Sequence, residues 1–196
     1  MRILFFSDLH SDMRALRSLK AKSVDADIVM CAGDLSIMGS GLPEVVKELS
    51  RFPKPVFIIH GNHEDEDELK EMCEKKKNLS FLHKAAHVME DYVLLGYGGD
   101  GFSATDSVFM KAIPFFKSHS EGKKRIILMT HGPPYGTMLD KLNGRHNGNK
   151  SYRTFIDDVK PHLAISGHFH ENAGIHHKIG RTLLINPGKA GALVKI

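Results

Sequence analysis

The sequence contains no tryptophan, only two cysteines and no long apolar segment. Cys31 and Cys73 do not form a CxxC pair, so we expect neither a disulfide framework nor a cysteine-based zinc site. No run approaches the roughly 18 apolar residues that a membrane span requires. The opening segment is apolar for only four residues, too short for a secretory signal. We therefore expect a cytoplasmic protein with no membrane partner.

Composition and charge fit one globular domain that acts on anions. The 196 residues are 41% hydrophobic and 26% charged, which predicts a single domain over 1–196. The formal net charge of +4 favours anionic partners, namely phosphoesters or nucleic acid. Nucleic acid is the less favoured partner, because the basic runs are not interleaved with aromatic residues. The sequence leaves self-association into a homo-oligomer open.

Apolar runs and helical patterns alternate along the first half of the chain. Buried strands are predicted at 2–7, 27–32, 55–60, 125–130 and 162–166. Shorter strands are predicted at 79–82, 86–89, 92–96, 173–178, 181–185 and 192–196. Helices are predicted after residue 12 and over about 43–50, 64–77 and 105–118. This mixture indicates an α/β fold of two mixed sheets packed face to face with helices outside.

Each of the five buried strands ends at side chains that can bind a metal or donate a proton. In chain order these residues are Asp8, His10, Asp34, Asn62, His63, His131, His168 and His170. In α/β folds, sites form just beyond the carboxyl ends of the strands. A glycine precedes Asp34, Asn62 and His168, which fits a tight turn or a close backbone approach. We therefore expect these side chains to share one crevice.

The candidate ligands are carboxylates, a carboxamide and imidazoles, which suit manganese, iron, zinc, cobalt or nickel. They are too many for one ion, so we expect a carboxylate to bridge two ions about 3.5–4 Å apart. Taken singly, Asp8 could cap a helix and Asp34 could occupy a turn. The complete set is hard to explain without cations, because clustered polar groups at buried strand ends are costly to desolvate.

The motifs Asp-x-His, Gly-Asp, Gly-Asn-His-Glu, His-Gly and Gly-His-x-His occur in this order between residues 8 and 170. This pattern resembles the calcineurin-like metallophosphoesterase superfamily. The small size of the chain and the His-Gly-Pro-Pro run at 131–134 look more like the compact microbial phosphodiesterase-type members of that superfamily. The resemblance implies a four-layer α/β/β/α sandwich with a dinuclear metal centre. It also implies that Asp8, His10 and His170 hold one ion and that Asn62, His131 and His168 hold the other. Asp34 would bridge the two.

The resemblance further implies hydrolysis of a small-molecule phosphoester by a hydroxide held on two divalent transition-metal ions, with manganese favoured. Asp34 and Asn62 would support catalysis, and His63 would be the general acid that protonates the leaving group.

The sequence departs from the protein phosphatases of this superfamily in one respect. No arginine stands next to the Gly-Asp or Gly-Asn-His-Glu motif, where a phosphomonoester dianion would be clamped. This favours a phosphodiester substrate, with a phosphomonoester as the alternative. His60, Tyr135 and Arg145 are candidate substrate contacts. The Gly-, Pro- and Asn-rich stretch 132–150 is interpreted either as a substrate loop or as a mobile surface loop.

Two further alternatives remain: a non-catalytic scaffold and a nuclease. The presence of every metal-ligand motif and of His63 argues against the scaffold. The nuclease hypothesis predicts salt-dependent binding to DNA or RNA. His83 is expected at the surface, as is the pair His176–His177, rather than in a third metal site.

Overall fold

The computed structural model describes residues 1–99, 101–123 and 125–196. Its first sheet consists of β1 (Arg2–Phe6), β2 (Ile28–Cys31), β3 (Val56–Ile58), β4 (Leu79–Phe81) and β13 (Ala192–Lys195). The strand order is β13-β1-β2-β3-β4. Strands β1 to β4 are parallel, and β13 closes one edge antiparallel to β1.

The second sheet has six strands in the order β11-β12-β10-β7-β6-β5. They are β5 (Ala85–Met89), β6 (Tyr92–Tyr97), β7 (Arg125–Thr130), β10 (Leu163–Ile165), β11 (His176–Ile179) and β12 (Thr182–Ile185). The four central strands are parallel, and both edge strands are antiparallel. A separate hairpin pairs β8 (Lys141–Leu142) with β9 (Arg145–His146).

Among the described residues, five α-helices cover the outer faces of the two sheets. They are α1 (Met13–Ser23), α2 (Leu42–Leu49), α3 (Glu66–Glu74), α4 (Ser107–Ser120) and α5 (Lys150–Val159). Asp12, Asp106 and Asn149 cap α1, α4 and α5 by accepting hydrogen bonds from first-turn N–H groups. No helix within the described residues has the length and apolar character needed to cross a bilayer.

Strand β1 shows why the buried runs are apolar at successive positions. Ile3 and Phe5 belong to the apolar core between the two sheets, whereas Leu4 and Phe6 belong to the core under α1, α2 and α3. Alternate side chains of a strand point to opposite faces, so a strand covered on both sides must be apolar throughout. A third core lies between the second sheet and helices α4 and α5. The expected four-layer α/β/β/α sandwich is therefore confirmed.

One helix was not predicted from the sequence. Helix α5 begins inside the end of the stretch interpreted as a loop, and it buries Tyr152, Phe155 and Ile156. Their spacing of three and four residues is the helical signal that identifies it. The strand predicted at 173–178 begins only at His176, because a 3-10 turn over His170–Asn172 precedes it.

Candidate metal centre

The carboxyl ends of five parallel strands meet at one edge of the sandwich. Strands β1, β2 and β3 are hydrogen-bonded neighbours in the first sheet, and β7 and β10 are neighbours in the second. The segments after these strands carry the seven metal-ligand candidates Asp8, His10, Asp34, Asn62, His131, His168 and His170. Ligands from both sheets therefore converge from opposite sides of one crevice.

The first group of ligand atoms surrounds one carboxylate oxygen of Asp34. His10 Nε2 lies 3.7 Å from Asp34 Oδ2 and 2.8 Å from His170 Nε2. His170 Nε2 in turn lies 3.7 Å from Asp8 Oδ1. One ligand atom from each of these four residues falls within 4.8 Å of the others, a spacing that can hold a single ion.

The second group surrounds the other oxygen of Asp34. His131 Nε2 lies 3.5 Å from Asp34 Oδ1, and His168 joins the same cluster. The carboxamide oxygen of Asn62 completes it, at 3.0 Å from both His131 Nε2 and His168 Nδ1. Asp34 is thus the member that both groups share. The structure brings together the two ligand sets that the family resemblance implies.

Hydrogen bonds behind the ligands fix where their protons lie. His10 Nδ1 lies 3.1 Å from the carbonyl of Ser36, and His131 Nδ1 lies 2.8 Å from the carbonyl of Ala32. A carbonyl can only accept, so each ring donates from Nδ1 and keeps a lone pair on Nε2. The Nε2 lone pair of His131 then faces the oxygen of Asn62. Acceptors that converge on one another in this way fit a cation between them.

Positive φ angles and closely packed glycines are found in the loops that carry the candidate ligands. Asp8, His10, Asp34 and His168 all have positive φ angles, between 47° and 71°. Residues other than glycine rarely adopt this conformation, and it is typical of functional sites. A Cβ atom on Gly61 would lie 2.0 Å from Asp34 Oδ1. This contact explains why glycine precedes Asn62.

Glu64 is a site residue that sequence reasoning did not assign. Its buried carboxylate accepts hydrogen bonds from the backbone N–H of Asp34 at 3.0 Å and of Gly61 at 3.1 Å. It also accepts from the N–H and the hydroxyl of Ser36. One side chain therefore ties the loop after β2 to the loop after β3. Its place in the Gly-Asn-His-Glu motif was the available signal.

His63 lies at the rim of the two ligand groups. Its Nε2 is 4.0 Å from Asp34 Oδ2, and the backbone N–H of Met38 donates to its Nδ1 at 3.0 Å. Since Nδ1 accepts, the neutral ring carries its proton on Nε2, the atom directed at the metal centre. His63 is therefore placed as a donor toward anything bound between the two groups.

A cavity of about 320 Å³ opens beside the ligands. It is lined by Asp34, Asn62, His63, Phe102, Leu142, His168, Phe169, His170 and Glu171. The predicted substrate contacts are not among these described lining residues. His60 is buried in a neighbouring pocket, Tyr135 lies beside His146, and Arg145 is exposed on β9.

The stretch 132–149 is organised around the fully buried carboxylate of Asp140. Its hydrogen-bond donors are the backbone N–H groups of Gly136, Thr137 and Gly148, the Thr137 hydroxyl and the ring of His146. Asn172 donates to the carbonyls of Leu139 and Lys141, which ties the β8–β9 hairpin to the turn that carries His170. This connection places Leu142 at the cavity.

A second histidine–carboxylate cluster lies in the neighbouring pocket. His60, Glu66 and His83 bring ligand atoms within 4.8 Å of one another. The His83 side chain is only 4% exposed, so its expected surface position is wrong. Its Nδ1 accepts from the N–H of Gly98 at 2.8 Å, which leaves the proton on Nε2, 3.4 Å from Glu66 Oε2. A cation at Nε2 would require an imidazolate, so we do not assign a metal to this cluster.

Several known proteins resemble this chain. An archaeal relative, Uncharacterized protein MJ1162 of Methanocaldococcus jannaschii, is 29% identical over 95% of this chain and 88% of its own length. TT1561 of Thermus thermophilus shares the fold with a TM-score of 0.79 and 17% identity, over 96% of this chain and 90% of that one. A dimetal phosphatase from Danio rerio shares it with a TM-score of 0.64 and 10% identity, over 94% and 86% of the respective chains.

The family comparison covers the whole candidate site. The sequence model described as Calcineurin-like phosphoesterase matches residues 1–172, which include both ligand groups, Glu64 and His63. This span exceeds four fifths of the chain and includes all five strands whose ends carry the ligands. On this match, the chain belongs to the calcineurin-like phosphoesterase family.

Proposed function

We propose that this protein hydrolyses phosphodiesters at a centre of two divalent metal ions. The observation that carries the proposal is the position of Asp34, whose two carboxylate oxygens face two separate ligand groups. Manganese is the ion we favour, with iron, zinc, nickel and cobalt as alternatives that the same donor atoms accept. Two such ions would acidify a shared water and neutralise charge on the phosphoryl oxygens.

The residues of the chain then have distinct tasks. Asp34 holds the two ligand groups at a fixed separation, and Glu64 fixes the loops that carry Asp34 and Asn62. The carboxamide of Asn62 presents its oxygen to the second group. His63 directs its Nε2 proton at the space where the ester oxygen would leave.

A phosphodiester fits the charge of the cavity better than a phosphomonoester. The described residues that line it include no lysine or arginine, and Glu171 adds a carboxylate at its wall. A monoester dianion gains most from a guanidinium fork, which these residues do not supply. A diester carries one negative charge fewer, so the lack of a guanidinium group in this cavity weakens its binding less.

The decisive experiment compares substrates and metals on the purified protein. We expect bis(p-nitrophenyl) phosphate to be hydrolysed with added manganese and not after chelation, and faster than p-nitrophenyl phosphate. Cyclic nucleotides and short DNA and RNA strands complete the panel. Metal binding without turnover of any ester, with any of the five metals, would favour the scaffold alternative. Cleavage of strands with strongly salt-dependent binding would favour the nuclease.

Esters with different leaving groups distinguish two roles for His63, that of a general acid and that of a hydrogen-bond donor. Full proton transfer requires a cationic ring, with Nδ1 protonated and the Met38 N–H displaced, whereas a neutral ring can only donate a hydrogen bond from Nε2. If His63 is the general acid, the His63→Asn variant should still bind its metals, and its turnover rate should be about 10²- to 10⁴-fold lower than that of the wild type. The loss should be largest for alkyl esters, whose leaving groups need protonation. Unchanged alkyl-ester rates would refute the acid role, and an equal loss for all esters would indicate hydrogen bonding alone.

A further inference from the structure

The cavity beside the metal ligands has an apolar wall that the ligands themselves do not explain. Phe102, Leu142 and Phe169 line it together with the metal-ligand candidates. Phe102 is 69% exposed, and its ring stands edge-on to His168 at a centroid distance of 4.4 Å. An exposed phenyl ring beside a polar centre offers a stacking surface to a bound molecule.

Two residues of the wall, Phe169 and Leu142, are held in position by the same elements that hold the ligands. Phe169 lies between His168 and His170 in the chain, is nearly buried, and contacts the His168 ring at 4.9 Å. Leu142 belongs to the hairpin that Asn172 ties to the His170 turn. An apolar group that enters the cavity therefore meets a surface that is already formed, which reduces the entropy cost of binding.

The charge around the wall selects against a second anionic group. Glu171 is the one charged side chain among the described lining residues that belongs to neither ligand group nor to the acid–base set. A substituent that carried its own phosphate or carboxylate would face this carboxylate, and the described residues that line the cavity include no lysine or arginine to offset the repulsion. A flat, uncharged substituent meets no such penalty.

From these observations we infer that the apolar wall binds a flat, apolar ester group of a monoanionic phosphodiester, and that Phe102 and Leu142 set this specificity. The inference rests on the proposed function and names its substrate class: diesters with at least one aryl-like substituent. Phe169 contributes the buried part of the wall.

The test measures aryl against alkyl recognition without relying on a leaving group. Diphenyl phosphate and dimethyl phosphate are used as competitive inhibitors of bis(p-nitrophenyl) phosphate hydrolysis by the manganese-loaded protein. Isothermal titration of both diesters into the manganese-loaded His63→Asn variant, in which turnover should be slow, gives a second readout of binding. We expect the wild type to bind diphenyl phosphate about five- to tenfold more tightly, the range for one aromatic contact. Phe102→Ala should remove most of this preference, and Leu142→Ala should reduce it.

Phe115→Ala is the matched control. Phe115 is also an exposed phenylalanine, but it lies on α4 and is not among the residues lining the cavity. Its variant should keep the aryl preference, and an unchanged Tm for all three variants should show that they fold. Equal binding of the two diesters to the wild type, or an equal effect of Phe102→Ala on both, would overturn the inference. Failure of every ester to turn over would contradict the proposed function instead, and calorimetry would still decide the aryl preference.

Discussion

Two histidine–carboxylate clusters lie close together at this edge of the fold, and their hydrogen bonds differ in direction. Around Asp34, the rings of His10 and His131 donate from Nδ1 to backbone carbonyls, so their Nε2 lone pairs point inward. In the second cluster, His83 accepts at Nδ1 from the N–H of Gly98, so its Nε2 carries the ring proton and lies 3.4 Å from Glu66 Oε2. Similar residue types therefore present lone pairs to the centre of one cluster and a ring proton to the centre of the other. The backbone group behind each ring decides which.

The largest expected effect tests the shared member of the first cluster. Asp34→Asn keeps the side-chain shape but removes the charge that both ligand groups face. We expect the wild type to bind two ions per chain and the variant to lose at least one. Diester turnover should fall on the order of 10³-fold, comparable with the loss of a preorganised electrostatic contact. Elemental analysis and initial rates measure both. A third ion in the wild type that Glu66→Gln removes would show that the His83 cluster also binds metal.

The second-largest expected effect tests how closely the loop at Gly61 must approach Asp34 and His131. The added methyl group of Gly61→Ala would fall 2.0 Å from Asp34 Oδ1 and 2.7 Å from the ring of His131. Displacement of a reacting group by about 1 Å can cost about 10²-fold in rate, and we expect a loss of this order in kcat. Gly99→Ala is the control, because its nearest neighbours would be 3.9 Å away. Equal activity of the two variants would show that Asp34 tolerates displacement.

A pair of glutamates sharpens the comparison between the clusters. Glu64→Gln removes one acceptor oxygen from a carboxylate that binds three backbone N–H groups and a hydroxyl behind the first cluster. We expect metal affinity to fall about 10- to 100-fold, as is usual when a partner of metal ligands is lost. Glu66→Gln changes the second cluster in the same way and should leave metal affinity unaltered. Competition with a chromophoric chelator measures both. Parallel losses would contradict the assignment of the clusters.

The sequence predicted the fold and the converging strand ends because each signal is local. An apolar run such as 2–7 predicts a strand covered on both faces, and Asp8 follows it within the next turn. Likewise, the glycines before Asp34 and Asn62 predict close approach of the backbone at those positions. The structure bears this out, since a Cβ on Gly33 would lie 2.6 Å from Gly61 N.

Other features depend on distances between segments that are far apart in the chain. The Met38 N–H at His63 is separated from it by 25 residues, and the Gly98 N–H at His83 by 15. Neither contact leaves a pattern in residue type, because any residue except proline supplies a backbone N–H. The cavity wall also depends on such distances, because Phe102, Leu142 and Phe169 come from three separate segments of the chain. Helix α5, by contrast, had a periodic signal that the loop-like composition before it obscured.

The smallest expected effect concerns the pH dependence of folding and isolates the second cluster. Burial, followed by the neighbouring His60 and Lys84, lowers the pKa of His83 from 6.5 to about 3. In the unfolded chain His83 takes up its proton below pH 6.5, whereas the folded protein resists protonation until about pH 3. The wild type should therefore lose stability as the pH falls through this window, by up to about 1.4 kcal/mol per pH unit from this group. His83→Asn should show a shallower loss in urea melts between pH 6.5 and 4.5, whatever its stability at neutral pH. His176→Asn, at an exposed position on β11, should follow the wild-type slope. Parallel curves for all three proteins would mean that folding does not lower the pKa of His83. That result would remove the contrast between the rings that turn a lone pair toward the Asp34 cluster and the ring that stays neutral with its proton on Nε2.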